Sequence, residues 1–220
     1  MKKIRVLHVA QCAGGVDRSL KSLIINLDKK KLENILICSN DFSFDNYKDN
    51  VSEFYQIDMQ RNVSLRDLVC IFKVRKLIKQ IKTDIVYAHS CKAGVIARIA
   101  DIGLKNKIIY NPHGWAFNMR GTTYKRLFYA FIEKLCSYLC DKILCVSDFE
   151  KLSALRWHIC RDSKIKVIYN GTGIVEYEKH IFRSSKTDLG ISENAFVVGM
   201  VGRIAEQKAP DIFVKVAEIV

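Results

Sequence analysis

Short apolar runs alternate with segments of helical period along this chain. Most of the runs are apolar throughout rather than alternating, as in parallel strands that are covered on both faces. Between them, apolar residues recur with the 3.6-residue period that is typical of amphipathic helices. Strands and helices in regular alternation predict an α/β fold built on a doubly wound parallel sheet. The pattern predicts eight strands, over residues 4–10, 34–39, 53–58, 84–88, 107–111, 142–146, 166–169 and 196–201.

Two of the predicted helices begin with the spacing of a capping box. Ser64 and Asp67 open the segment 64–82, and Ser147 with Glu150 opens a later helix. In such a box the side chains accept hydrogen bonds from backbone amides that the helix itself leaves free. We therefore predict helix N-termini at these two positions.

The chain divides into three parts. Residues 1–175 contain seven of the strands, and the turn-rich, charged stretch 176–193 reads as a linker. Residues 194–220 contain a fresh strand and a helix from about Pro210, a residue suited to the first helical turn. We predict that 194–220 is the start of a second, truncated domain, which forms no independent core because one βα unit leaves most of its apolar surface exposed.

Composition narrows the class of protein without fixing it. Hydrophobic residues make up 49% and charged residues 27% of the 220, which excludes a disordered chain. Lys and Arg number 36 against 23 Asp and Glu, a net charge of +13 that suits an anionic partner. Such a partner could be a nucleic acid, an acidic membrane surface or a phosphorylated small molecule. The basic residues are scattered without a recognition-helix pattern, so we expect no nucleic acid.

Eight cysteines are spread through apolar segments, where a free cysteine behaves as a small buried hydrophobic residue. We therefore expect core thiols in a reducing cytoplasm rather than disulfides. Cys136, Cys140 and Cys145 contain no CxxC pair, and we expect no metal there. No apolar run approaches the roughly 18 residues that span a bilayer, so contact with a membrane would be peripheral, at its inner face.

Three loops carry the candidate chemistry, and the first contains Gly14 and Gly15. These glycines lie between strand 4–10 and the helix that follows it. They allow a ligand to approach the backbone, and the helix N-terminus attracts an anion such as a phosphate. The GxGxxG spacing of dinucleotide sites is missing, so a dinucleotide is not indicated. A tight strand-to-helix turn without a ligand is an equal alternative.

The second loop contains His113, which follows strand 107–111. Ligands of open parallel sheets bind beyond the carboxyl ends of the strands, where His113 could hydrogen-bond a sugar hydroxyl or a phosphate. A loop packed by aromatic residues around a satisfied histidine is the alternative. His89, Ser90 and Lys92 follow strand 84–88 in an equivalent place and are weaker, acceptor-side candidates.

The third loop, between strand 196–201 and the last helix, contains Arg203 and Lys208. Two cations facing a helix N-terminus suit a diphosphate, and they would stabilise it as a leaving group. A solvated basic turn is the alternative.

Taken together, these segments resemble the retaining glycosyltransferases of family 4, which have two facing Rossmann-like domains in the GT-B fold. The resemblance runs along nearly the whole chain in order and spacing. It rests on Gly14-Gly15, DIVYAHS at 84–90, Lys92-Ala93-Gly94, His113-Gly114, DKILCVS at 141–147, VIYNG at 167–171, and Val201-Gly202-Arg203 with Lys208.

The resemblance implies that residues 1–175 form the acceptor-side Rossmann-like domain and that 194–220 begin the nucleotide-sugar-binding one. It implies that Gly15 lines the donor diphosphate, that His113 lies near the reacting sugar, and that Arg203 and Lys208 hold the diphosphate. It further implies retention of anomeric configuration without a metal or other cofactor. Two departures are the absence of the family's later Glu pair and Ala209 in place of a glycine.

The leading hypothesis is thus a glycosyltransferase that transfers a sugar from a nucleotide sugar to a sugar or lipid-linked acceptor, in cell-surface polysaccharide synthesis. Lys125, Arg126 and Lys134 lie among aromatic residues in the helix near 124–139. That helix could rest on an anionic membrane or be a plain core helix. A catalytically inactive remnant and a basic nucleic-acid-binding module are the competing hypotheses. We expect this 220-residue chain to be inactive alone.

Overall fold

The computed structural model describes residues 2–171, 185–202 and 204–219. It divides the chain into two compact units, Met1–Thr172 and Gly173–Val220. The predicted boundaries at 175 and 193 fall in or near the undescribed stretch and stay predictions.

The first unit contains a seven-stranded sheet in the order β3-β2-β1-β4-β5-β6-β7. Every pairing is parallel. The order reverses direction at β1 and β4, and ligands of doubly wound sheets bind at such a switch point. The first seven predicted strands are confirmed, with ends that differ by one or two residues in five of them. The strands are β1 Ile4–Ala10, β2 Leu32–Cys38, β3 Glu53–Gln56, β4 Ile85–His89, β5 Lys107–Asn111, β6 Lys142–Cys145 and β7 Ile165–Val167.

Helices cover both faces of the sheet. Helix α1 packs one face with a core around Leu20 and Ile24. Helices α2 to α5 pack the other face in a single larger core. This arrangement follows from right-handed crossovers, because the chain moves outward from β1 to β3 and then returns past β1 to β4. The helices are α1 Gly15–Asn26, α2 Arg66–Ile81, α3 Cys91–Ala100, α4 Thr123–Ser137 and α5 Asp148–Arg156.

Both predicted capping boxes form in part, since the Glu150 carboxylate binds the amide of Val146 rather than that of the N-cap residue Ser147. Ser147 Oγ accepts from the Glu150 amide at 3.2 Å, and the Glu150 carboxylate accepts from the Val146 amide at 2.9 Å. At α2 the Ser64 amide donates to Asp67 Oδ2 at 3.1 Å. The Ser64 hydroxyl is buried without a partner in the described part of the chain, and the helix begins at Arg66.

A buried ion pair fastens α3 and α4 to β5. Arg98 Nη2 lies 2.8 Å from Glu133 Oε2, and both side chains are almost fully buried. The Tyr110 hydroxyl donates to the other carboxylate oxygen at 2.8 Å, and Arg98 Nε donates to the Gly94 carbonyl at 2.8 Å. Arg98 Nη1 is buried without a partner among the described residues, so the pair specifies one packing arrangement more than it adds stability. It thereby fixes the strand from which the His113 loop emerges.

The second unit contains helix α6, Pro210–Ala217, with proline in its first turn as predicted. The predicted strand 196–201 is wrong: these residues form no strand, and their side chains lie exposed. No strand is found anywhere in 185–202 and 204–219. An apolar run forms a strand only where another strand accepts its backbone hydrogen bonds, and that partner is missing among these residues.

All eight cysteines are free thiols. Five are buried, as predicted, whereas Cys12, Cys91 and Cys160 are partly exposed.

Within the described residues, no group of three or more His, Cys, Asp or Glu could hold a metal ion. None of the helices described is long and apolar enough to cross a membrane.

Candidate functional site

The predicted loops of the first unit meet at one edge of the sheet. β1 and β5 both pair with β4, and all three strands are parallel. The loops that contain Gly15, His89 and His113 therefore lie together at the carboxyl edge, as the sequence led us to expect. The binding roles of these residues stay predictions.

The glycine loop has the geometry of an anion site. Gly14 has φ +126°, a conformation that only glycine adopts without strain, and α1 begins at Gly15. No side chain caps this helix, so its first backbone amides remain available to a ligand. The preceding turn is held in place by β2 and its loop: the Ala13 amide donates to Asp41 Oδ2 at 2.7 Å.

Arg61 lies beside this loop, a position that sequence reasoning missed. Its Nη2 is 2.7 Å and its Nε 3.1 Å from the Cys12 sulfur. Burial acts to raise the pKa of Asp41, but hydrogen bonds from Ser39 and Ala13 and the Arg61 charge outweigh it and lower that pKa. Arg61 belongs to a polar segment without a motif, so only the folded chain reveals its neighbours.

Three imidazoles form a hydrogen-bonded row behind the His113 loop. His89 Nδ1 lies 3.2 Å from His113 Nε2, and His89 Nε2 lies 3.2 Å from His8 Nδ1. His8 Nε2 in turn lies 3.2 Å from Asn34 Oδ1. The structure therefore brings the predicted residues His89 and His113 into direct contact, and it adds His8 and Asn34, which the sequence did not single out.

All three histidines are neutral at pH 7. Burial lowers the pKa of His8 and of His113 from 6.5 to about 4. The pKa of His89 falls well below its usual value because of burial and, secondarily, the imidazoles on either side. A neutral imidazole can accept a hydrogen bond, or a proton, from a ligand hydroxyl.

The loop backbone holds His113 in a left-handed conformation with φ +49°. The Asn111 side chain accepts from the His113 amide at 3.0 Å and so stabilises this turn. Trp115 is buried beside it and donates from its indole nitrogen to the Glu150 carbonyl at 2.9 Å. Aromatic residues pack the loop and His113 has a hydrogen-bond partner in His89, as the alternative reading expected, while the ring stays partly exposed at the edge. The role of His113 in binding a ligand stays a prediction.

The weaker candidates after β4 differ in their surroundings. Ser90 has φ +80°, and its buried hydroxyl has no partner among the described residues. Lys92 Nζ forms an ion pair with Asp67 at 2.5 Å and donates to the Asn62 carbonyl at 2.7 Å. These contacts join α3 to the start of α2 and give Lys92 a structural role, and its predicted role on the acceptor side stays a prediction.

Of the two predicted cations of the third loop, Lys208 is exposed in a short 3₁₀ turn, Glu206–Lys208, in the second unit. Arg203 lies outside the described residues. Their proposed contact with a diphosphate stays a prediction.

The parallel sheet, with its loops gathered at the carboxyl edge, defines a Rossmann-like domain of the GT-B class. Residues 13–174 match Glycosyltransferase Family 4, and because this covers more than half of the chain, the protein belongs to that family.

Curated relatives agree with this assignment. The chain is 28% identical over 225 residues to the UDP-Gal:alpha-D-GlcNAc-diphosphoundecaprenol alpha-1,3-galactosyltransferase of Escherichia coli, covering 99% of this chain and 58% of that protein. It is 29% identical over 150 residues to the O-antigen biosynthesis glycosyltransferase WbnH of the same species, covering 68% of this chain and 41% of that protein. The chain thus spans well under two thirds of the length of these relatives.

Among solved structures, Anabaena Alr3699/HepE in complex with UDP has a similar fold. Its TM-score is 0.70 at 21% identity, covering 96% of this chain and 57% of that one. The same protein has also been crystallised with UDP-glucose, at a TM-score of 0.70 and 20% identity, covering 96% of this chain and 56% of that one.

Proposed function

We propose that residues 1–175 form the acceptor-side half of a retaining glycosyltransferase that acts in cell-surface polysaccharide biosynthesis. The observation that carries this proposal is His113, a neutral, partly exposed imidazole at the carboxyl edge of a family 4 domain. It lies at the same edge as the open helix N-terminus at Gly15. One sheet edge therefore offers an acceptor for a sugar hydroxyl and donors for a phosphate.

We infer that the donor is a uridine diphosphate sugar. The Escherichia coli relative is named for UDP-Gal, and Alr3699/HepE was crystallised with UDP-glucose. The amides around Gly14 and Gly15 would bind the diphosphate, with Arg203 and Lys208 as its counter-charges. Fixed charges and a helix N-terminus can stabilise a departing diphosphate as its bond to the sugar breaks. Arg61 adds positive charge beside the glycine loop. With these charges to stabilise the diphosphate, the proposed reaction needs no metal ion.

We propose a lipid-linked acceptor, because the relative is named for a diphosphoundecaprenol substrate. The outer face of α4 supports this choice. Its buried residues are small or polar, and most of its larger apolar side chains are exposed, although Tyr129 packs against the core. The apolar residues of α4 and of its C-terminal cap that expose more than half of their surface are Tyr124, Leu127, Phe128, Phe131, Leu135 and Tyr138. A helix with its apolar face outward suits the interface of a bilayer.

A second apolar row lies on the same side of the sheet. α2 and α4 both pack into the core beneath that face. The exposed residues at the start of α2 are Leu65, Leu68, Val69 and Phe72. Lys125 and Lys134 are exposed on α4, whereas Arg126 donates to the Phe117 carbonyl at 2.8 Å and faces inward. We propose that this face rests on the anionic inner surface of the membrane.

The proposed function can be tested with a chimera. Residues 1–220 would be joined to the part of the Escherichia coli galactosyltransferase that lies beyond the matched segment. We expect the chimera to transfer radiolabelled galactose from UDP-galactose to the lipid-linked acceptor. His113→Ala should lower kcat by about 100-fold or more, within the range that positioned acid–base and hydrogen-bonding groups contribute.

His158→Ala is the matched control, since His158 is an exposed histidine of the same unit. It should leave transfer unchanged. A folded chimera in which His113→Ala is as active as the parent would contradict the assignment of His113.

A further inference from the structure

The imidazole row crosses four adjacent strands of the sheet. Asn34 lies on β2, His8 on β1 and His89 at the end of β4, and His113 follows β5. Each neighbouring pair is joined nitrogen to nitrogen, or nitrogen to oxygen, at 3.2 Å. His8, His89 and Asn34 are buried, so water does not compete for these hydrogen bonds.

The donor-to-acceptor direction of the hydrogen bonds in the row follows from Asn34, the residue at its buried end. A neutral imidazole has one N–H and one lone pair, and a carbonyl oxygen can only accept. Because Asn34 Oδ1 accepts, His8 must carry its proton on Nε2 and donate from there. His8 Nδ1 is then an acceptor. His89 must then donate from Nε2 and accept at Nδ1, and the same reasoning puts the proton of His113 on Nε2.

We propose that Asn34, acting through His8 and His89, sets the tautomer of His113 and presents its Nδ1 to the candidate site as a hydrogen-bond acceptor. Asn34, His8 and His89 are thus positioning residues. The neutral state of the three rings, which burial imposes, supports the argument. Only the identity of the ligand, a sugar hydroxyl, rests on the proposed function.

The open end of the row is the functional one. No hydrogen bond joins His113 Nδ1 to any residue in the described ranges, and His113 is the one ring of the row that is partly exposed. An unprotonated Nδ1 accepts from a hydroxyl, whereas a protonated Nδ1 would instead donate to a phosphate or carboxylate oxygen. The amide orientation of Asn34, three residues away in the row, decides which chemistry His113 selects.

The experiment is ¹⁵N-histidine NMR of the 220-residue chain at pH 7 without ligand. Long-range ¹H–¹⁵N spectra distinguish the protonated from the unprotonated nitrogen of each ring. We expect His8, His89 and His113 each to hold the proton on Nε2, with Nδ1 at the unprotonated position. A proton on Nδ1 of His113, or a mixture of tautomers there, would overturn the proposal.

Two variants test the coupling. Asn34→Leu removes the acceptor at a similar side-chain volume, and the Nδ1 resonance of His113 should move toward the protonated position. Asn34→Asp keeps an acceptor oxygen, and the His113 tautomer should remain as in the parent. Asn26→Leu, the same change at an exposed site, should have no effect. An unchanged His113 resonance in folded Asn34→Leu would refute the coupling.

These measurements do not depend on sugar transfer. If Asn34→Leu fails to fold, the parent spectrum and Asn34→Asp still decide the tautomer. If the chain shows the expected tautomers but its chimera transfers no sugar, the proposed function is wrong and the tautomer proposal stands. If the chimera transfers sugar while His113 carries its proton on Nδ1, the tautomer proposal is wrong and the proposed function stands.

Discussion

At the scale of single residues, the packing under the site depends on one glycine. Gly94 lies inside α3, where glycine costs roughly 0.5–1 kcal/mol relative to alanine. A Cβ atom at this position would lie 2.3 Å from Tyr110 Cε2, far inside van der Waals contact. Tyr110 cannot move away, since its hydroxyl binds Glu133 and its ring lies 3.9 Å beneath the Arg98 guanidinium. The missing side chain therefore lets α3 approach β5.

We expect Gly94→Ala to lower the free energy of unfolding by about 1–3 kcal/mol, the usual cost of overpacking, despite the better helix propensity of alanine. Urea unfolding followed by circular dichroism measures this. Gly121→Ala is the control, because a Cβ atom there would meet nothing within 4 Å beyond its chain neighbours, and it should change stability by no more than about 0.5 kcal/mol. Equal effects of the two substitutions would argue against the contact.

The sequence could place His89 and His113 at one edge because each follows a strand of a parallel sheet. It could not reveal His8 and Asn34 as their partners. His8 interrupts an apolar strand, and nothing in its neighbours along the chain indicates which strand lies next to β1. Asn34 reaches it only because β2 pairs with β1 in the register that the fold sets. Contacts across strands depend on strand order, which local pattern does not encode.

At the scale of elements, hydrophobic period predicted the type of seven strands and of the helices between them. It failed for 196–201, because whether an apolar run becomes a strand depends on a partner. It also left open which face of α4 is buried. The structure shows that Ala130, Glu133 and Ser137 face the core, whereas several aromatic side chains of α4 are exposed. The two readings of this helix, a core helix with solvated lysines and a helix that rests on a membrane, both stay predictions.

The exposed face of α4 should bind anionic vesicles. We expect the chain to cosediment with phosphatidylglycerol vesicles and much less with phosphatidylcholine vesicles, since each lysine near an anionic surface contributes about 1 kcal/mol. Phe131→Ser should weaken the partition coefficient by about tenfold, the equivalent of burying much of one aromatic side chain.

Phe44→Ser supplies the control for this measurement. Phe44 exposes 53% of its surface and Phe131 59%, but Phe44 lies among residues of the opposite, α1 face. It should leave vesicle binding unchanged. Equal losses from both substitutions would show that α4 is not the contact surface.

At the scale of the whole molecule, a net charge of +13 left nucleic acid, membranes and phosphorylated compounds open as partners. The function proposed above favours the last two. The positive charge could serve both a phosphorylated ligand and a membrane surface, because the residues concerned lie in different parts of the first unit. The glycine loop with Arg61 lies at the carboxyl edge of the sheet, whereas the lysines of α4 lie on its outer face.

We expect the 220-residue chain alone to transfer no sugar. Transfer requires the donor to be held against the acceptor in a site that excludes water. In the second unit, the residues that the structure describes form one α-helix, two short 3₁₀ turns and no strand, so they offer no sheet edge to hold a nucleotide. Lys208 would contribute charge without positioning. The purified chain, incubated with UDP-galactose and the lipid-linked acceptor, should give no labelled product, while the chimera under the same conditions should give it. Turnover by the isolated chain that disappears in His113→Ala would prove this expectation wrong, and would mean that the first unit binds and activates the donor by itself.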